Sequence, residues 1–393
     1  MSRLTQRLFS RSVVMAAALL IALGLLVVEI RRNVASRLPL QDFVQYWSAS
    51  TLNARGANPY DGSAILAVER SLGWLEPEAN FMYNPPWMIS VASPFLLLDY
   101  TTARSACMLL QFAIIAGVAI VLWDDHGGPV HLRWVAGLLA LSAYPSLIAI
   151  RLGQSSLLVL LALVGFIHWE GKGRDFLAGA ALALAMVKPH LVYLVWPAVG
   201  IWAIARRRWG VVAGGVVMLG LLTVVAVVPN PEVFRQFFTM LRDRPPAHFL
   251  SPTPGSYLRL IFGGERFWLQ YVPPLVGLAW LAGSWRSWLG TCEESWKDRI
   301  VPVLFASLLT TSYGAWTPDM VVLLIPVLGL SATLASDGRP RVIAPALVSW
   351  MAIDGGAWIS GIIRVEEGYF IWLTPTTLVA YALVQRIRKD ETR

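Results

Sequence analysis

The chain has 393 residues, of which 56% are hydrophobic and only 14% charged, and its formal net charge is +8. Soluble domains hold roughly a quarter charged residues, so a soluble enzyme with a large core is excluded, as are a disordered chain and a secreted disulfide scaffold. Two cysteines, Cys107 and Cys292, supply neither a disulfide framework nor a C-x-x-C metal or redox site. The positive charge sits in arginines flanking apolar runs, not in a basic, aromatic-studded domain, so nucleic acid is not an expected partner. The class is an all-α polytopic membrane protein.

A bilayer core takes about 20 apolar residues per helix. In chain order the candidate spans are Val13–Ile30, Ala103–Trp123, Leu132–Ile150, Ser155–Trp169, Trp209–Val228, Trp268–Leu289, Ile300–Ala315, Met320–Leu334, Val342–Gly361 and Tyr369–Gln385. The first is long for a signal-peptide core, and no A-x-A-like cleavage site follows it. Trp87–Leu98 has only 12 residues and contains Pro94, which suits a re-entrant or interfacial helix. Phe176–Ala205 is 30 residues long and apolar except for Lys188 and His190. It suits two short helices meeting at Lys188–Pro189.

Basic clusters test this assignment. They lie at Arg3, Arg7 and Arg11, at Lys172 and Arg174, at Arg206, Arg207 and Arg208, at Arg339 and Arg341, and at Arg386, Arg388 and Lys389. All fall on one side if Trp87–Leu98 does not cross and Phe176–Ala205 is a hairpin. The positive-inside rule makes that side cytoplasmic, with both termini inside and about 12 crossings. Two long segments then lie outside, Arg31–Pro86 and Pro229–Phe267. In the second, Phe234, Phe237, Phe238 and Leu241 share one helical face, the pattern of a helix lying in the membrane interface.

The first outer segment carries the informative motifs. Asp42 follows the first span and precedes Tyr46-Trp47. A carboxylate at the rim of an apolar cavity can act as a general base with a raised pKa; it can equally be a solvated loop residue or a helix N-cap. Asn58-Pro59-Tyr60-Asp61 and Tyr83-Asn84-Pro85-Pro86 are turn chemistry first, because proline fixes φ and asparagine tolerates turn conformations. Arg151-Leu152-Gly153-Gln154 joins two spans with almost no loop, which a tight turn alone explains. Lys188-Pro189-His190 is harder to dismiss. A lysine inside an apolar stretch usually lines a cavity or binds a charged group, with snorkelling the bland alternative. No Walker A run, G-x-G-x-x-G or H-E-x-x-H motif is present.

Asp42 with Tyr46-Trp47, Asn-Pro-Tyr-Asp, Asn-Pro-Pro, Gly-Gln and Lys-Pro, in this order from Asp42 to Arg208, resembles glycosyltransferase family 87, polytopic mannosyltransferase-like proteins of the GT-C class. The resemblance implies one integral membrane domain whose first outer loop (31–86) is catalytic. A GT-C helical module (87–208), a second outer loop (229–267) and a C-terminal helical half (268–393) complete it. It implies a polyprenyl-phosphate donor carrying one sugar, usually mannose, a lipid or glycan acceptor outside a bacterial inner membrane, and an inverting displacement. Asp42 matches the base. Lys188, Arg151 and Gln154 match positions that would receive the departing phosphate. Tyr46, Trp47, Asn58, Asp61, Tyr83, Asn84 and His190 would line the sugar and prenyl paths. No cofactor is implied and no metal is expected. The competing class is a flippase of lipid-linked sugars that makes no bond. Such transporters are built from repeats, and the motifs of the first outer loop do not recur in the second.

Overall fold

Backbone placed in hydrocarbon must satisfy its own hydrogen bonds, and among the described residues every regular element is helical. The computed structural model describes residues 42–246, 250–290 and 295–391; the expected first span, Val13–Ile30, lies outside them. The segment before Trp87 folds into α1 (Phe43–Ala54) and α2 (Gly62–Ser71), and Trp87–Leu98 becomes a short α3 (Trp87–Ala92) ending in a 3₁₀ turn. Then come α4 (Tyr100–Asp125), α5 (Arg133–Ser142), α6 (Tyr144–Leu152), α7 (Ser156–Gly171), α8 (Asp175–Ala183), α9 (Val195–Ala205) and α10 (Trp209–Val227). The segment after α10 holds α11 (Val233–Asp243) and α12 (Pro254–Phe262). The chain closes with α13 (Val272–Gly290), α14 (Trp296–Thr310), α15 (Leu324–Asp337), α16 (Pro340–Ile362) and α17 (Leu373–Asp390).

Among the described residues four helical segments are long and apolar enough to cross a membrane: α4, α10, α16, and α15 together with the 3₁₀ turn before it. Twelve crossings would require the shorter apolar helices, α7 and α9 among them, to span as well. The outer faces of α10 and α16 expose Val216, Val217, Leu221, Val348, Met351 and Ile362 to the surroundings. Apolar faces of that extent belong against lipid. On its inner side α10 lies directly on α8. A Cβ on Gly179 would fall 1.8 Å from the carbonyl oxygen of Val211, and one on Gly214 would fall 1.9 Å from that of Phe176. Glycine at these positions is what brings the two backbones together.

Two sequence expectations gain detail. Leu132–Ile150 is not one straight helix but the pair α5 and α6, bent by 62° at Ala143 and together long and apolar enough for one broken span. The freed amide of Tyr144 donates to Asp354 Oδ1 of α16 at 2.8 Å, so a carboxylate from far along the chain caps α6. The other concerns α11, whose apolar face turns in part toward the first loop. Phe237 packs on Tyr60 at 5.4 Å and Phe234 on Trp87 at 5.6 Å. All four residues of that face line a cleft. By contrast Phe176–Ala205 does form two short helices, with the helical pattern interrupted at Lys188 between two 3₁₀ turns.

Candidate active site

Asp42 stands at the start of α1 but makes no capping hydrogen bond. Its Oδ2 accepts instead from Gln154 Nε2. Gln154 follows Gly153, whose φ of +72° ends α6 in the left-handed region. A Cβ on Gly153 would also come within 2.8 Å of Phe43 Cβ, so glycine there both turns the chain and lets the two segments meet.

From Gln154 the contacts continue inward. Lys188 Nζ donates to Gln154 Oε1 at 2.7 Å, to Ser156 Oγ at 3.1 Å and to Asp319 Oδ1 at 2.7 Å. Asp319 is fully buried, accepts from the Ser156 hydroxyl through Oδ1, and accepts from the Trp316 amide through Oδ2 at 3.1 Å. A second set of bonds braces the first. Tyr46 OH lies 3.1 Å from Ser155 Oγ; Asn84 Nδ2 donates to Ser155 Oγ at 3.2 Å and to the carbonyl of Val187 at 2.8 Å. Tyr60 OH donates to the Asn84 carbonyl at 3.1 Å. Leaving any of these buried polar groups unpaired would cost about 1–3 kcal/mol.

The cleft in front of this cluster has a volume of about 1580 Å³. Asp42, Tyr46, Gln154 and Lys188 line it, together with Tyr83, Asn84 and His190. Burial pushes the Asp42 carboxyl above its ordinary range, opposed by the Gln154 hydrogen bond, the Lys188 charge and the Asn80 side chain. Across the cleft Glu367 accepts from the Thr317 amide at 3.0 Å and hydroxyl at 2.6 Å, and burial raises it as well. Among the described residues no three His, Cys, Asp or Glu side chains gather as a metal site.

Four residues singled out in the sequence are not part of the cleft lining. Arg151 is exposed on α6. Trp47 packs on Phe43 and Tyr100, at 6.4 and 5.7 Å. Asn58 accepts from the Tyr60 amide at 3.0 Å, and Asp61 caps α2 through the Ala64 amide at 2.8 Å: both serve the turn. Conversely Asp319, Glu367 and Arg244 line the cleft and were not assigned from sequence. The one usable signal was Asp319, an acidic residue directly before an apolar run.

A family model described as Glycosyltransferase family 87 matches residues 81–312, more than half of the 393-residue chain. The chain belongs to glycosyltransferase family 87. No curated protein and no solved structure matches it. The family 87 match contains Tyr83, Asn84, Gln154 and Lys188, while Asp42, Asp319 and Glu367 lie outside it. As a family 87 glycosyltransferase it acts on a sugar donor and an acceptor, and its apolar helices make it a membrane protein.

Proposed function

We propose that this enzyme moves a single sugar, mannose in the first instance, from a polyprenyl-phosphate donor to a lipid or glycan acceptor outside the membrane, with inversion. The supporting observation is the unbroken contact Asp42–Gln154–Lys188 at the wall of the cleft. Asp42 takes the proton of the acceptor hydroxyl as its oxygen attacks the anomeric carbon. The bond from that carbon to the phosphate oxygen breaks on the opposite face, and its electron pair leaves with the phosphate. That phosphate gains negative charge, which Lys188 and the Gln154 amide are suited to receive. Tyr46, Tyr83, Asn84 and His190 would line the path of the sugar.

The test is transfer from a mannosyl polyprenyl phosphate to lipid acceptors by purified protein. Asp42→Asn keeps the size but cannot accept the proton, so turnover should fall about 10²–10⁴-fold with donor binding retained. Because Asp42 must be ionised, and burial raises its pKa, transfer in the wild type should decline on acidification starting above the usual carboxylate range. Near-normal turnover by Asp42→Asn would sink the assignment. Lys188→Ala, by contrast, should weaken donor use, and unchanged donor binding would leave Lys188 as the buried counter-ion of Asp319 alone.

A further inference from the structure

We infer that Asp319 is a positioning residue for sugar transfer, holding the Lys188 ammonium at the place where the donor phosphate departs. This rests on the roles given above to Lys188 and Asp42. An ammonium has three protons and no acceptor, and all three of those on Lys188 are taken, by Gln154, Ser156 and Asp319. A phosphate oxygen can gain one only by replacing a partner. Asp319 is charged, fully buried and itself anchored by Trp316 and Ser156. Gln154 is neutral, half-buried and lies on the Asp42 side. The Gln154 bond is therefore the one that yields, while Asp319 keeps the ammonium from following the phosphate into the cleft.

The pair also brings together distant parts of the chain. Lys188 sits at the break between two short helices, and Asp319 closes the turn Trp316-Thr317-Pro318-Asp319 that leads into α15. Neither side chain has a second ionic partner among the described residues. A lysine enclosed this way needs a counter-ion simply to fold, so the test must separate support from positioning.

Asp319→Asn keeps the size and can still accept from Trp316, but it removes the charge. The donor kcat/KM should fall about 100-fold, the scale expected when a reacting group is misplaced by about 1 Å. The loss should appear in kcat rather than in donor KM, because the contact of Lys188 with the departing phosphate strengthens in the transition state. A folded Asp319→Asn with donor kcat/KM within twofold of the wild type overturns the inference. So does a loss confined to the yield of folded protein, with kcat per folded molecule unchanged, which is the signature of support alone. If Asp319→Asn does not fold, Ser156→Ala decides. It removes one bond to the pair and leaves the charges, so kcat/KM for the donor should fall about fivefold in a protein that still folds; no change overturns the inference. Should Lys188→Ala and Asp42→Asn both transfer normally, the proposed reaction itself is wrong, an outcome distinct from failure of Asp319 alone.

Discussion

Glu69 shows how a single carboxyl can set the behaviour of the loop around the cleft. It lies fully buried on α2, where Oε2 accepts from the Asn80 amide at 3.0 Å while Oε1 meets no partner. Burial pushes its pKa up to about 7. Between the ordinary Glu value near 4.5 and about 7 the unfolded chain has released the proton and the folded one keeps it. The unfolded state then binds fewer protons, so stability falls as pH rises through that window, by an amount on the order of 3 kcal/mol. The thermal midpoint of the wild type should therefore drop from pH 5 to pH 7.5 relative to Glu69→Gln, whose curve lacks this contribution. Parallel curves would mean that Glu69 is solvated. Since Asn80 also stands beside Asp42, ionisation of Glu69 should loosen the wall of the cleft as well. None of this was legible in the sequence, because Glu69 within Ala67-Val68-Glu69-Arg70 looks like a solvated helix face. Asp42 and Lys188 could be singled out because each interrupts or borders an apolar run. Asp319 borders one too, but its partner is 131 residues away, and a contact of that range leaves no local pattern.

At the scale of helices, the contact of α8 with α10 depends on its glycines. Gly214→Ala would drive a methyl group into the Phe176 carbonyl, which cannot move without shifting α8. Overpacking of this kind costs about 1–3 kcal/mol, so the thermal midpoint in detergent should fall. Gly220→Ala on the same helix is the control, since nothing lies within 4 Å of its added Cβ, and its midpoint should hold. Equal midpoints for the two variants would show that the helices separate at little cost. The interruption at Lys188–Pro189 was readable because proline and a charge in an apolar stretch both act locally. The bend at Ala143 was not. Pro145 marks the place, but the group that stabilises the bend is Asp354 of a different helix, which no local pattern shows. For α11 the helical period was plain in the sequence; what its apolar face packs on is a tertiary fact.

For the molecule as a whole, composition alone fixed the class, while the number of crossings rests on how the short helices lie in the bilayer. The sidedness can be tested directly. Ala57 lies in the turn after α1, on the first loop. With Cys107 and Cys292 replaced, Ala57→Cys should react with an impermeant thiol reagent in intact cells. Labelling only after permeabilisation would put the cleft on the cytoplasmic face. The cap on α6 and the Lys188–Asp319 pair bear, finally, on how the protein is made. A ribosome delivers Tyr144 210 residues before Asp354, and Lys188 131 residues before Asp319. In the interval the nascent chain carries a lone ammonium and an open helix end within apolar sequence, both of which disfavour burial. The growing N-terminal half thus cannot settle until the last helices are inserted. The cluster around Lys188 is completed only once Asp319 has been made, and the cap on α6 only once Asp354 has.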